Sequence, residues 1–131
     1  MDTEAMHRAL EGSLAGRMTF PEVVGTLIGA GVESYFADLV RGEETFYAPG
    51  GETHVEKMGL PSRKVADDFS HGGIVAAIRA AQADEIRYPE FLNQAMAAGT
   101  AAYWAFLAGK RVIYFGRKGE FHVEEFPRPR A

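Results

Sequence analysis

Residues 20 to 56, displaced by 68 positions without a gap, fall on residues 88 to 124 with twelve identities in thirty-seven. Phe20-Pro21-Glu22 meets Tyr88-Pro89-Glu90, Ala30-Gly31 meets Ala98-Gly99, and Tyr35, Ala37 and Leu39 meet Tyr103, Ala105 and Leu107. Gly51-Glu52-Thr53-His54-Val55-Glu56 meets Gly119-Glu120-Phe121-His122-Val123-Glu124. The same displacement lays Asp2 to Gly16 on Ser70 to Asp84, so the chain reads as two units, about 1–60 and 69–127. Each unit alone is close to the lower limit of independent stability, whereas 131 residues with 47% apolar content can build one real core. The expectation is one domain over 1–131 in which both units share a sheet and a core.

Each unit carries the signals of two helices and three strands. Met6, Ala9, Leu10 and Leu14 form a one-sided stripe over 2–14, and Val23, Val24, Leu27 and Ile28 form another behind a Thr19/Glu22 capping box with Pro21 in the first turn. Gly31 ends that second helix as a left-handed cap. Residues 33–40 favour a strand, Gly42-Glu43 a turn, 44–48 the returning strand and 53–57 a third, on which His54 and Glu56 share a face. In the second unit Asp67, Asp68 and Ser70 suit a helix start, followed by a stripe of Ile74, Ala77, Ile78 and Ala81. Phe91, Leu92, Ala95 and Met96 mark the fourth helix, which stops at Gly99, and 100–107, 111–115 and 121–125 read as strands. Residues 58–66 form the connector, with a short extended piece at 64–66, and the prolines from Phe126 onward predict a mobile tail ending in 128–131.

The fold class predicted is α+β: two ααβββ repeats related by a pseudo-twofold, pooling six mainly antiparallel strands into one sheet with the helices on one face. Tyr35, Ala37 and Leu39 are repeated as Tyr103, Ala105 and Leu107 and should face inward. The alternate positions, Phe36, Asp38 and Val40 against Trp104, Phe106 and Ala108, drift and should lie on the uncovered side.

Composition removes several function classes. A net charge of −4 supplies no electrostatic footprint for nucleic acid, and no segment approaches the roughly 20 apolar residues that cross a bilayer. With no cysteine there is no disulfide, Cys-based zinc site or thiol nucleophile. The absence of a leader pattern makes the cytoplasm the simplest expectation. No cofactor is implied, and Ser13, Ser34, Ser62 and Ser70 have neither an elbow context nor a matching His.

The run from Tyr88 through Phe91, Ala98-Gly99, Trp104, Tyr114-Phe115 and Gly119 to Val123-Glu124 and Pro127 resembles a family of small bacterial proteins of unknown function described as phage envelope protein-like. Members of that family often carry a His near the end of the third helix, cysteines in the fourth, and an Asp closing the strand after the Trp. Ala81, Ala95 and Leu107 stand near those places here, so the resemblance implies the fold and no activity.

Three constellations are candidates for chemistry. His54-Val55-Glu56 and His122-Val123-Glu124 each set an imidazole beside a carboxylate, a pairing suited to a general base, and together they offer the ligand types of a divalent metal. The plainer reading makes these four the solvent face of edge strands. His71, followed by two glycines at a helix start, is a candidate for holding an anion, although a helix cap with permissive glycines is the plainer reading. The set Tyr103, Trp104, Phe106, Tyr114, Phe115 and Phe121 is either core, a pocket lining or a surface, and Phe36, Trp104 and Phe106 are the interface candidates. Lys110, Arg111, Arg117 and Lys118 read as solvated turn charges.

The leading functional expectation is a non-enzymatic binding or accessory domain whose open sheet face forms a homodimer or meets a protein partner. The alternative is a small-molecule or metal-binding protein, with enzymatic activity an open option, that uses the repeated His-Val-Glu segments.

Overall fold

The computed structural model describes residues 1–59 and 64–127. Its element order is α1 (Thr3–Leu14), α2 (Phe20–Gly29), β1 (Ser34–Asp38), β2 (Glu43–Tyr47), β3 (Thr53–Lys57), α3 (His71–Gln82), α4 (Tyr88–Ala97), β4 (Thr100–Phe106), β5 (Arg111–Gly116) and β6 (Phe121–Glu125). Local signals set these limits. Asp2 caps α1 through Ala5 N–H, Thr19 and Glu22 form the reciprocal capping box of α2, and the Ser70 hydroxyl accepts Gly73 N–H at the start of α3. Gly31 and Gly99 end α2 and α4 with φ of 87° and 84°, in the left-handed region that glycine adopts without strain.

All strand pairings are antiparallel, in the order β3-β2-β1-β4-β5-β6. On one face, from β3 to β6, a first row runs His54, Phe46, Tyr35, Ala105, Val112, Glu124. The row beside it runs Glu56, Glu44, Ala37, Tyr103, Tyr114, His122. The helices lie against this face: Met6, Leu10, Leu27, Ile74, Leu92 and Ala95 are buried with Tyr35, Ala37, Tyr103 and Ala105 in one core. The opposite face carries Phe36, Trp104, Phe106 and Ile113 half-buried, and Val55, Phe121 and Val123 exposed. The inward placing of Tyr35, Ala37, Leu39, Tyr103, Ala105 and Leu107 follows the period-2 pattern of the sequence.

Several details differ from the pattern. The first strand stops at Asp38 because its carboxylate accepts the N–H groups of Val40 and Arg41 at 3.0 and 2.9 Å and turns the chain, so β2 starts at Glu43. Residues 64–66 join no strand; Ala66 N–H donates to the Met96 carbonyl instead. Ala81 is exposed rather than part of the buried stripe, and Ile28 is 54% exposed. Phe126 is held in place, edge-to-face on Phe20 at 5.3 Å and bonded through its N–H to Lys110, so no mobile tail begins there. The turn cations Arg117 and Lys118 pair with Asp67 and Asp68. The expected connector at Leu60-Pro61 and the tail at 128–131 lie outside the described residues. No described helix is long and apolar enough to cross a membrane.

Candidate functional site

Between the four helices and the inner sheet face lies a cavity of about 400 Å³. Its wall is largely apolar, with Leu10, Val23, Leu27, Ile78 and Phe91 from the helices and Phe46 and Val112 from the sheet. Four carboxyls belong to the lining, and one of them, Glu44, is buried. Glu44 shares the parity of Phe46 on β2, so the pleat that buries Phe46 also turns Glu44 inward, where 5% of it is exposed. The Tyr88 hydroxyl, at the first residue of α4, donates to Glu44 Oε1 at 3.1 Å. That hydroxyl lies 2.6 Å from the hydroxyl of Tyr103; with the Tyr88 proton on Glu44, Tyr103 is the donor to Tyr88. Glu44 Oε2 has no hydrogen-bond partner among the described residues.

Burial pushes the Glu44 carboxyl up to about 7, against the Tyr88 hydrogen bond that lowers it, and the Glu56 charge next to it on β3 adds to the rise. Near neutral pH the group therefore stands between a neutral donor and a charged acceptor. Burial also raises the hydroxyls of Tyr35, Tyr88, Tyr103 and Tyr114, so these keep their protons. Around the carboxyl the rings form a continuous series: Phe46 to Tyr35 at 5.7 Å, Tyr35 to Tyr103 at 5.9 Å, Tyr103 to Tyr114 at 5.6 Å, Tyr114 to Phe91 at 6.1 Å and Phe91 to Tyr88 at 6.4 Å.

The repeated His-Val-Glu segments face the same way. The register pairs His54 with Phe46 and His122 with Tyr114, so all four side chains point to the helix-covered side and are half-buried, which corrects the solvent-face reading. They form two groups, not one. His54 Nε2 stands 3.3 Å from Glu56 Oε1 without hydrogen-bond alignment, and His7 of α1 approaches the same oxygen at 3.4 Å. On the far edge His122 Nε2 lies 3.1 Å from Glu124 Oε1, its Nδ1 lies 2.8 Å from Nε2 of His71, and Arg79 reaches Glu124 at 2.7 Å. Burial raises the Glu124 carboxyl, but the hydrogen bonds and charges of Arg79 and His122 outweigh it and hold the group below the ordinary range. β3 and β6 are opposite edges of the sheet, five strand spacings or roughly 24 Å apart, so the four residues cannot share one ion. Among the described residues no group of three or more acidic or imidazole side chains is arranged to hold a metal. His71 is turned to His122, while its helix start is capped by Ser70.

The interface candidates lie on the outer face. Phe36 and Trp104 pair across β1 and β4 with rings 5.3 Å apart, and Trp104 stacks on Tyr47 at 5.6 Å and on Phe106 at 5.3 Å. Trp104 is half-buried in this cluster rather than free, and its Nε1 is buried without a partner among the described residues.

Glu44 and Tyr88 were not singled out from the sequence, although the two halves contained the signal. At an offset of 68, Glu44 stands against Val112 and Tyr88 against Phe20, so each is a polar group where the other half has an apolar one.

No curated protein matches this chain. The model of the family described as "Protein of unknown function (DUF1398)" matches residues 12–125, the stretch that holds the cavity's carboxyl and tyrosines, and it assigns no role in a phage envelope. On that match, the chain belongs to the DUF1398 family of proteins of unknown function.

Proposed function

We propose that this protein binds a small, largely apolar molecule in the cavity between its sheet and helices. The observation that carries the reading is Glu44: a carboxyl 5% exposed whose one hydrogen-bond partner among the described residues is the Tyr88 hydroxyl, in the wall of a cavity of about 400 Å³. An under-satisfied buried carboxyl costs stability, and such groups concentrate where a ligand completes them. The reading stops at binding, because the hydroxyls nearest to Glu44 are tyrosines whose protons burial retains. A fragment screen followed by NMR tests it. Hits should perturb Tyr35, Tyr103 and Tyr114 and vanish in Ala81→Phe, which fills the cavity wall from an exposed position. Hits confined to the outer sheet face, or none, would refute the reading.

The duplication gives this site its shape. In a chain built of two ααβββ halves across a pseudo-twofold, equivalent residues should pair at the axis and strand registers should repeat. Three pairings support that origin: Phe36 opposes its own counterpart Trp104, and Tyr35–Phe46 and Phe46–His54 recur as Tyr103–Tyr114 and Tyr114–His122. Both halves contribute to one core, in keeping with a single domain. The polar pair of Glu44 and Tyr88 then marks the departure from symmetry that gives a ligand one orientation.

A second reading rests on the outer face, where the Phe36, Tyr47, Trp104 and Phe106 rings cluster at the sheet centre. This face would seat a second copy of the chain. Sedimentation of the wild type and of Trp104→Arg at high micromolar concentration decides it: a dimer lost in the variant supports the reading, and a wild-type monomer removes it.

A further inference from the structure

We infer that the cavity selects an organic cation, an ammonium group carried on an apolar body, with the charge placed beside Glu44. This rests on the cavity being the binding site and names the class of molecule it takes.

The lining is biased toward a positive guest. Its charged groups are Glu44, Asp84, Glu124, Glu125 and Arg87, four acids against one base among the described residues. The base is already committed, because Arg87 Nε lies 3.0 Å from Asp84 Oδ1. An anionic guest would therefore meet the buried Glu44 carboxyl with no free cation in the described lining to hold it, at a desolvation cost nothing offsets. Glu124 is satisfied by Arg79 and His122 and Glu125 is exposed to solvent, which leaves Glu44 as the buried carboxyl with an oxygen to offer.

The walls around that oxygen point the same way. Tyr35, Phe46, Tyr88 and Tyr103 line the cavity with Glu44, and aromatic faces attract a cation most strongly where water is excluded. A neutral apolar molecule would use the rings and leave the carboxyl unmatched; an ammonium uses both. The fixed Tyr103 to Tyr88 to Glu44 hydrogen-bond chain holds the carboxyl in place before the guest arrives.

Protonation gives a second signature. The groups facing Glu44 are Glu56 from β3, Tyr88 from α4, and Tyr35 and Tyr103 from β1 and β4. His7 of α1 touches Glu56 in turn. An ammonium binds the ionised carboxylate, so below the pH where Glu44 ionises each binding event releases one proton from it to solvent, and affinity rises about tenfold per pH unit.

The test compares benzylamine, benzyltrimethylammonium, benzyl alcohol and phenylacetate, read by calorimetry and NMR on the full chain at pH 5.5, 6.5 and 8. Expected are at least tenfold tighter binding of the two cations than of the alcohol at pH 8, and a rise in that preference between pH 5.5 and 6.5. The preference should be lost in Glu44→Gln while the alcohol still binds. Equal or tighter binding of benzyl alcohol or phenylacetate, displacing the same tyrosine signals, would overturn the cation assignment and leave the cavity reading standing. Failure of every probe to reach the cavity would overturn both. Cation binding unchanged in a folded Glu44→Gln would place the charge elsewhere and overturn the inference.

Discussion

The Tyr88 hydroxyl and the Glu44 carboxylate meet at 3.1 Å across the gap between α4 and β2, forty-four residues apart in the chain. This contact joins a helix late in the chain to a strand early in it, at the one place among the described residues where a carboxyl is buried. It couples part of the stability of the fold to the ionisation of Glu44.

That coupling has a defined sign. The Glu44 carboxyl ionises near its ordinary 4.5 in the unfolded chain and at about 7 in the folded protein. Burying the neutral acid favours the fold at low pH; between about 4.5 and 7 only the unfolded state loses the proton, so this contribution declines and is gone above the folded value. The difference in unfolding free energy between wild type and Glu44→Gln should fall by roughly 3 kcal/mol from pH 4.5 to 7.5 and be flat on either side. Denaturant titrations across that range measure it. A difference that does not change with pH would mean that Glu44 is not buried as described.

Tyr88→Phe keeps the ring and removes the one hydroxyl that satisfies the carboxyl. It leaves Glu44 Oε1 without its donor and Tyr103 without its acceptor, at a cost of about 1–3 kcal/mol. Because that hydrogen bond lowers the Glu44 carboxyl, its loss should move ionisation above 7, visible in the carboxyl carbon shift of labelled glutamate. An ionisation unchanged in Tyr88→Phe would exclude the contact in solution.

The scaffold was legible and the centre of the site was not, for separable reasons. Helix limits rest on local chemistry, so Thr19 with Glu22, Ser70, and the terminal glycines 31 and 99 place them within a residue or two. The inward set of Tyr35, Ala37 and Leu39 follows from alternation within one strand. Which way His54 and His122 face depends on register across two successive turns, which alternation within a strand does not determine. Glu44 was hidden because a carboxylate on a strand is ordinarily a surface residue, and its burial depends on Tyr88 arriving from a helix folded over it. Only the contrast with Val112 in the other half carried that information.

Arg79→Ala tests the far edge of the sheet. Arg79 is more than half exposed, so its bidentate contact with Glu124 should contribute no more than about 1 kcal/mol and weaken with salt. The Glu124 carboxyl is held below its unfolded value, so the contribution is present at neutral pH and lost as pH falls through the folded value. Urea unfolding at pH 7 and at a pH low enough to protonate Glu124 should show a small deficit for the variant at the first and none at the second. An equal deficit at both would show that the arginine acts through packing of its stem instead.

Gly31 and Gly99 occupy the same local geometry, yet their replacement should have very different costs. Both close a helix with left-handed φ, 87° and 84°, and an alanine at either position meets the same backbone penalty of about 1–2 kcal/mol. At Gly31 an added Cβ would find its nearest neighbour, the Met1 Cα, at 3.9 Å, which is ordinary contact. At Gly99 it would overlap the Asp68 carbonyl oxygen and come within 2.8 Å of the Phe69 Cα. These are backbone atoms just before the Ser70 cap of α3, and they cannot turn aside as a side chain would. Gly31→Ala should thus lower stability by about 1–2 kcal/mol, while Gly99→Ala should cost at least about twice as much or prevent folding. Denaturant unfolding of the two variants under one condition compares them, and equal losses would mean that the close approach of α4 to the segment before α3 is absent in solution.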